Sequence, residues 1–199
     1  MTDDGPAAAL RSLVERAVDR GDGEAPATDD HGAVVAERGD DPGPVGVLST
    51  VVEETGSSSI VGVVPRLDAT TVRRLRDAVD GPDPDRTVRL VFTGLAAERL
   101  SGRSGAVFRD ALARRGIEAT VHAADSSVAV LLVGERAVVG LFDEHGLAAL
   151  LSTDAPEVRT WAAGVYRRYA AATAADDATD ATVDDTDDAD GAPNLGERP

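Results

Sequence analysis

The chain has no cysteine and no lysine, and it has one tryptophan, one methionine and two tyrosines. Without cysteine there is no disulfide framework, no thiolate metal site and no thiol nucleophile. Without lysine a Walker phosphate loop is excluded, and the G-x-G-x-x-G pattern is missing as well. No apolar run approaches the roughly 18–20 residues of a membrane span, and the opening MTDDGPAA is acidic where a secretory signal is basic. These absences predict a soluble, cytoplasmic protein without membrane association. His31 falls in a linker, His122 at the end of a strand and His145 in a turn, with no two at metal-ligand spacing. No metal and no cofactor is therefore expected.

What is present is enough for a core. Of 199 residues 42% are hydrophobic, which suits one domain of ordinary size with tails. The net charge of -16 sets 36 acidic groups against 20 basic ones, all arginine. An Asp-rich, lysine-free composition looks like that of an extreme halophile's cytosolic protein, whose acidity keeps it solvated in molar salt and says little about partners. The charge sits at the ends. Residues 1–43 carry 11 acidic and 4 basic groups, residues 173–199 carry 9 and 1, and the body between carries 16 and 15. A near-neutral body argues against direct DNA binding, which calls for a basic domain, and no helix-turn-helix pattern is found.

The organising stretch runs from Ser126 to Tyr169. Val128 to Val133 and Ala137 to Phe142 are β-branched-rich runs joined by Gly134-Glu135-Arg136, a hairpin. Leu147 to Leu151 is a further short apolar run. Asp154, Pro156 and Glu157 spell an N-cap, a first-turn proline and the far half of a capping box. The helix that follows carries Val158, Trp161, Ala162, Val165 and Tyr169 as one stripe.

Upstream, Ala7 to Arg20 reads as a short amphipathic helix, followed by the linker GDGEAPATDDHG. Val34 and Val35 are too few for an element, and 45–55 predicts a helix with Val47, Leu48, Val51 and Val52 inward. From Ile60 the pattern is regular. Strands at Ile60–Val64, Val88–Phe92 and Ile117–His122 alternate with a helix capped by Asp68 and with a helical segment from Leu95 to Arg115. That segment is interrupted at Ser101 to Gly105, and Gly116 supplies a left-handed stop. Short βα connections require right-handed crossovers and a parallel sheet. The fold class is thus α/β, a mixed sheet of three parallel βα-connected strands extended by an antiparallel hairpin and closed by a C-terminal helix. The division is an N-terminal helix and acidic linker over 1–43, an α/β domain over 44–172 and a disordered acidic tail over 173–199.

Open α/β sheets bind ligands outside the carboxyl ends of their strands. That edge would be lined by Arg66 and Asp68, by Thr93 and Gly94, and by His122 and Asp125. Arg66 suits an anion and the carboxylates suit a hydroxylated ligand, and each of these side chains also has an ordinary structural role as surface charge, cap or strand end. The arginine clusters at Arg73, Arg74 and Arg76 and at Arg109, Arg114 and Arg115 read as ion-paired solvated faces.

The run VAVLLVGERAVVGLFDEHGLAALLSTDAPEVRTWAAGVYRRYAAAT resembles the end of the effector-sensing domain of archaeal, particularly haloarchaeal, winged-helix transcriptional regulators of the TrmB type. Val128 to Phe142, His145-Gly146, Ser152 to Pro156, Trp161 and Tyr166 to Tyr169 take the family's parts, and the likeness covers about residues 45–172. It implies a fold like half of a phospholipase-D-type domain, a role in sensing a metabolite or in dimerisation, and either a homodimer or a winged-helix regulator as partner. The family's DNA-reading head is missing from this chain. The phospholipase signature H-x-K-x-x-x-x-D requires lysine, so that activity does not carry over. The expectation is a non-enzymatic regulatory module with a small-metabolite effector. The alternatives are a small-molecule enzyme at the same sheet edge and an adaptor domain without a ligand.

Overall fold

The computed structural model describes residues 5–19, 32–56, 59–67 and 87–180. In chain order the elements are α1 (Pro6–Asp19), β1 (Val34–Glu37), α2 (Pro44–Glu54), β2 (Ile60–Val64), β3 (Val88–Phe92), α3 (Gly94–Leu100), α4 (Gly102–Ala113), β4 (Ile117–Val121), β5 (Val128–Val133), β6 (Arg136–Asp143), β7 (Gly146–Thr153) and α5 (Pro156–Asp180). The helix expected from Asp68, the linker holding His31 and the tail past Asp180 lie outside the described residues.

One seven-stranded sheet runs in the order β1-β7-β6-β5-β2-β3-β4. β2, β3 and β4 are parallel, and β5 joins β2 antiparallel. β5, β6 and β7 form a meander, and β1 closes it antiparallel to β7. The mixed α/β sheet and closing helix thus match the sequence reading. The hairpin turn is Gly134-Glu135, because Arg136 is already paired with Val133. Leu147 to Leu151 lies inside the full-length strand β7.

Apolar residues at consecutive strand positions bury both faces of the sheet. Val47, Val51 and Val52 of α2 and Ala96, Leu100 and Leu112 of α3 and α4 cover Ile60, Val64, Leu90, Phe92 and Ile117. On the other face Leu10, Val14 and Val18 of α1 and Val158, Ala162 and Val165 of α5 cover Val63, Val91, Val130, Val139 and Leu151. The predicted α5 stripe is the one buried, with Trp161 and Tyr169 packed partly buried beside it. Each fully buried valine there contributes about 1.5–3 kcal/mol.

Four expectations change. β1 exists although it has only four residues, because β7 supplies a ladder for it. α1 and β1 consequently belong to the same body as the strands, so the ordered unit begins upstream of residue 44. Asp154 is not the cap of α5: the helix opens at Pro156, and Arg159 N–H donates to Ala155 O at 3.0 Å, which puts Ala155 at the cap position. The Ala155 N–H is instead held by Thr153 Oγ1 at 3.2 Å. α5 also continues to Asp180, into the stretch whose composition predicts disorder. The interruption between α3 and α4 falls at Ser101, whose backbone is extended.

Candidate functional site

The carboxyl ends of β2, β3 and β4 are laced together before any ligand is considered. Thr93 N–H donates to Val64 O at 3.1 Å, Ala96 N–H reaches Pro65 O at 3.0 Å, and His122 N–H donates to Phe92 O at 2.9 Å. Thr93 is fully buried, and among the described residues its Oγ1 has no hydrogen-bond partner. A buried hydroxyl left in that state costs about 1–3 kcal/mol.

Gly94 follows with φ +50°, a left-handed conformation that a side chain resists. The Asp125 carboxylate lies directly over it: a Cβ at 94 would stand 2.2 Å from Asp125 Oδ1. The same oxygen accepts the Ser126 N–H at 2.8 Å, and Ser126 Oγ donates to Val128 O at 2.8 Å. His122 Nδ1 accepts the Ala124 N–H at 3.0 Å, so the neutral imidazole carries its proton on Nε2. Its ring meets Tyr169 edge-on, 5.2 Å between centroids at 84°, and Tyr169 Oη donates to Asp125 O at 2.9 Å. The loop from His122 to Ser126 is therefore pinned at one end to β3 and at the other to α5.

Of the residues expected at this edge, Thr93, His122 and Asp125 gather around Gly94 and Tyr169. Arg66 turns the other way: its Nη1 donates to Asp143 O at 2.7 Å, at the end of β6. Asp68 lies outside the described residues. Arg99 of α3 donates to Leu67 O, bracing the exit of β2. Tyr169 was legible only as a member of the α5 stripe. Its hydroxyl contact depends on the β4–β5 loop reaching α5, which no local pattern signals.

Beside Arg66, Arg38 grips the Asp143 carboxylate with two bonds of 2.8 Å. That hydrogen bonding lowers the Asp143 pKa from 3.8 to about 2, against a smaller opposing effect of burial, and the His145 N–H adds to the lowering. His145 itself is exposed in the turn, 3.7 Å from Glu144. Among the described residues no three metal-ligating side chains cluster, and no helix is long and apolar enough to cross a membrane.

Residues 43–172 match the family model described as the middle domain of the methanogenesis regulatory protein FilR1. No curated protein matches the chain. Among solved structures, NucT from Helicobacter pylori aligns with 70% of this chain and 96% of its own, at 11% identity and a TM-score of 0.52, a likeness of fold. TrmBL2, an archaeal chromatin protein, aligns over 81% of this chain at 13% identity with a TM-score of 0.47. Polyphosphate kinase from Porphyromonas gingivalis aligns over 70% at 14% identity with a TM-score of 0.49. The chain spans 60% of the TrmBL2 chain and 26% of the kinase chain.

Proposed function

The chain belongs, over residues 43–172, to the family of the FilR1 middle domain, and from that membership we propose a non-enzymatic sensing module in transcription control that binds a small polar effector beside Thr93, His122 and Asp125. Regulatory family membership supports the role, and the bonding at the sheet edge supports the mode. Asp125 and His122 each spend one polar atom on a backbone N–H two residues away or less. That arrangement fixes a surface for recognition. Among the described residues no group bonds His122 Nε2–H or Asp125 Oδ2, which leaves both for a hydroxylated ligand. Proton relay between His122 and Asp125 would need a bond between the two side chains, and their partners are backbone groups instead.

The lysine-free, acidic composition supports a halophilic setting within this proposal. The likeness to half of a phospholipase-D-type fold is part of it too, without that fold's lysine-dependent chemistry. A winged-helix regulator as partner belongs to the same proposal.

A thermal-shift panel of sugars, hydroxy acids and their phosphate esters, run on the full chain at high KCl, tests the site. The expected hit raises the melting temperature of the wild type and leaves Asp125→Ala unmoved. A panel with no Asp125-dependent shift removes the site. Chemical conversion of a hit by the wild type, lost in His122→Ala, removes the non-enzymatic reading. Recovery of a winged-helix regulator with the chain from high-salt lysate checks the partner.

A further inference from the structure

A sheet edge exposes backbone amides and carbonyls that another strand can take. This sheet has two edges, β1 and β4, and they are not alike. On β1 the Arg38 N–H donates to Ala148 O at 2.8 Å, so even-numbered residues turn their amides to β7 and odd-numbered ones turn theirs outward. The outward Glu37 N–H is taken by the Asp40 carboxylate at 2.7 Å, and the Glu37 carboxylate accepts the Ala7 N–H at 3.4 Å. At Glu37 that edge is closed by its own chain.

On β4 the His122 N–H reaches Phe92 O, so there too the even-numbered residues face the neighbour. Ile117, Ala119 and Val121 turn their amides and carbonyls outward, and among the described residues β3 is the only strand paired with β4. The usual guards of an edge are missing: IEATV has no proline, no lysine and no bulge. Its one charge, Glu118, is engaged by Arg89 at 3.1 Å.

We propose that β4 pairs with β4 of a second copy, antiparallel about a twofold axis at Ala119, so that one sheet runs through both molecules. In that register the outward-facing residues meet outward-facing residues: Ile117 lies opposite Val121, and Ala119 opposite Ala119, of the partner subunit. Each such pair can exchange both backbone bonds. Glu118 falls opposite a threonine hydroxyl, Thr120 of the partner subunit, whereas an axis at Glu118 would set two carboxylates against each other. The core of the α2, α3 and α4 face, which includes Ile117 and is flanked by Ala119 and Val121, then continues across the axis. The same pairing puts Gly116 of the partner subunit opposite His122, and so brings the Arg114–Arg115 turn beside the loop that carries Asp125. The inference stands on the sheet and needs no effector.

Analytical ultracentrifugation of the full chain at low and high KCl tests it, with hydrogen exchange as a second readout. The wild type is expected to be a dimer, with the amides of Ile117, Ala119 and Val121 protected. Ala119→Pro removes one outward donor, at a position where an edge strand accepts proline, and should yield a monomer. Thr120→Glu places a like charge opposite Glu118 twice per dimer and should weaken the dimer Kd about tenfold at low salt. Thr120→Arg should tighten it, and circular dichroism should show unchanged helix and strand content for both Thr120 variants. A monomeric wild type, or a dimer indifferent to both charge variants, would overturn the proposal.

Discussion

The Asp125 carboxylate and the Gly94 backbone are in direct contact, with Oδ1 only 2.2 Å from where a β-carbon at 94 would be. Gly94→Ala must therefore strain a left-handed backbone and push Asp125 off the Ser126 amide. Together these should cost about 2–3 kcal/mol in urea denaturation. In an Asp125→Ala background only the backbone share remains. Equal costs in the two backgrounds would mean the contact is not felt.

Thr93→Val replaces a buried, unpartnered hydroxyl with a methyl of similar shape. Folding stability should rise by about 1 kcal/mol or more, because the cost of the unsatisfied group is removed. If the hydroxyl serves the effector, the same variant should bind any hit of the thermal-shift panel more weakly. Unchanged affinity would take Thr93 out of the site.

Tyr169→Phe keeps the ring against His122 and deletes the bond to Asp125 O. A loss of about 0.5–1.5 kcal/mol is expected, together with faster amide exchange in residues 122–127. Exchange that stays as slow as in the wild type would show that Tyr169 does not hold the loop.

Asp143 has its pKa lowered to about 2 by Arg38, so the charged form is favoured by folding. A carboxylate depressed in the folded state adds stability above its ordinary value of 3.8 and loses that contribution as pH falls through about 2. The stability gap between wild type and Asp143→Asn should therefore be steady at neutral pH and close in acid. Because both side chains are substantially exposed, the gap should also narrow at high salt. A gap that is constant down to pH about 2 would contradict the assignment.

Much of the architecture could be read from local pattern. The strands β2 to β6 and the α5 stripe announce themselves through apolar runs and helical spacing, and α2 through Val47, Val51 and Val52, whereas β7 shows only the short run Leu147 to Leu151. What could not be read depends on partners distant in sequence. Val34 and Val35 become a strand only because Leu151 and Ser152 stand beside them. α1 looks like a separate appendage because a Gly, Pro and Asp linker follows it, although Leu10 and Val14 are buried on the main core. Asp154 falls one residue short of the cap position, because the first helical bond runs from Arg159 N–H to Ala155 O. At the site, the strand-end rule placed Thr93, His122 and Asp125 together. It did not foresee that Arg66 would swing toward β6, or that Tyr169 would add its hydroxyl.

The pairing of β1 with β7 joins residues as far apart in sequence as Val34 and Ser152, and this bears on how the protein is made. A ribosome delivers α1 and β1 early, but the strand they shelter against emerges only after all the others. Until then Leu10, Val14 and Val18 lack Leu151 and Val158 of their shared core, and a pairing this non-local closes late in folding. Completion of the sheet is thus tied to the last strand synthesised, and a chain stopped before Thr153 would leave its own first helix stranded.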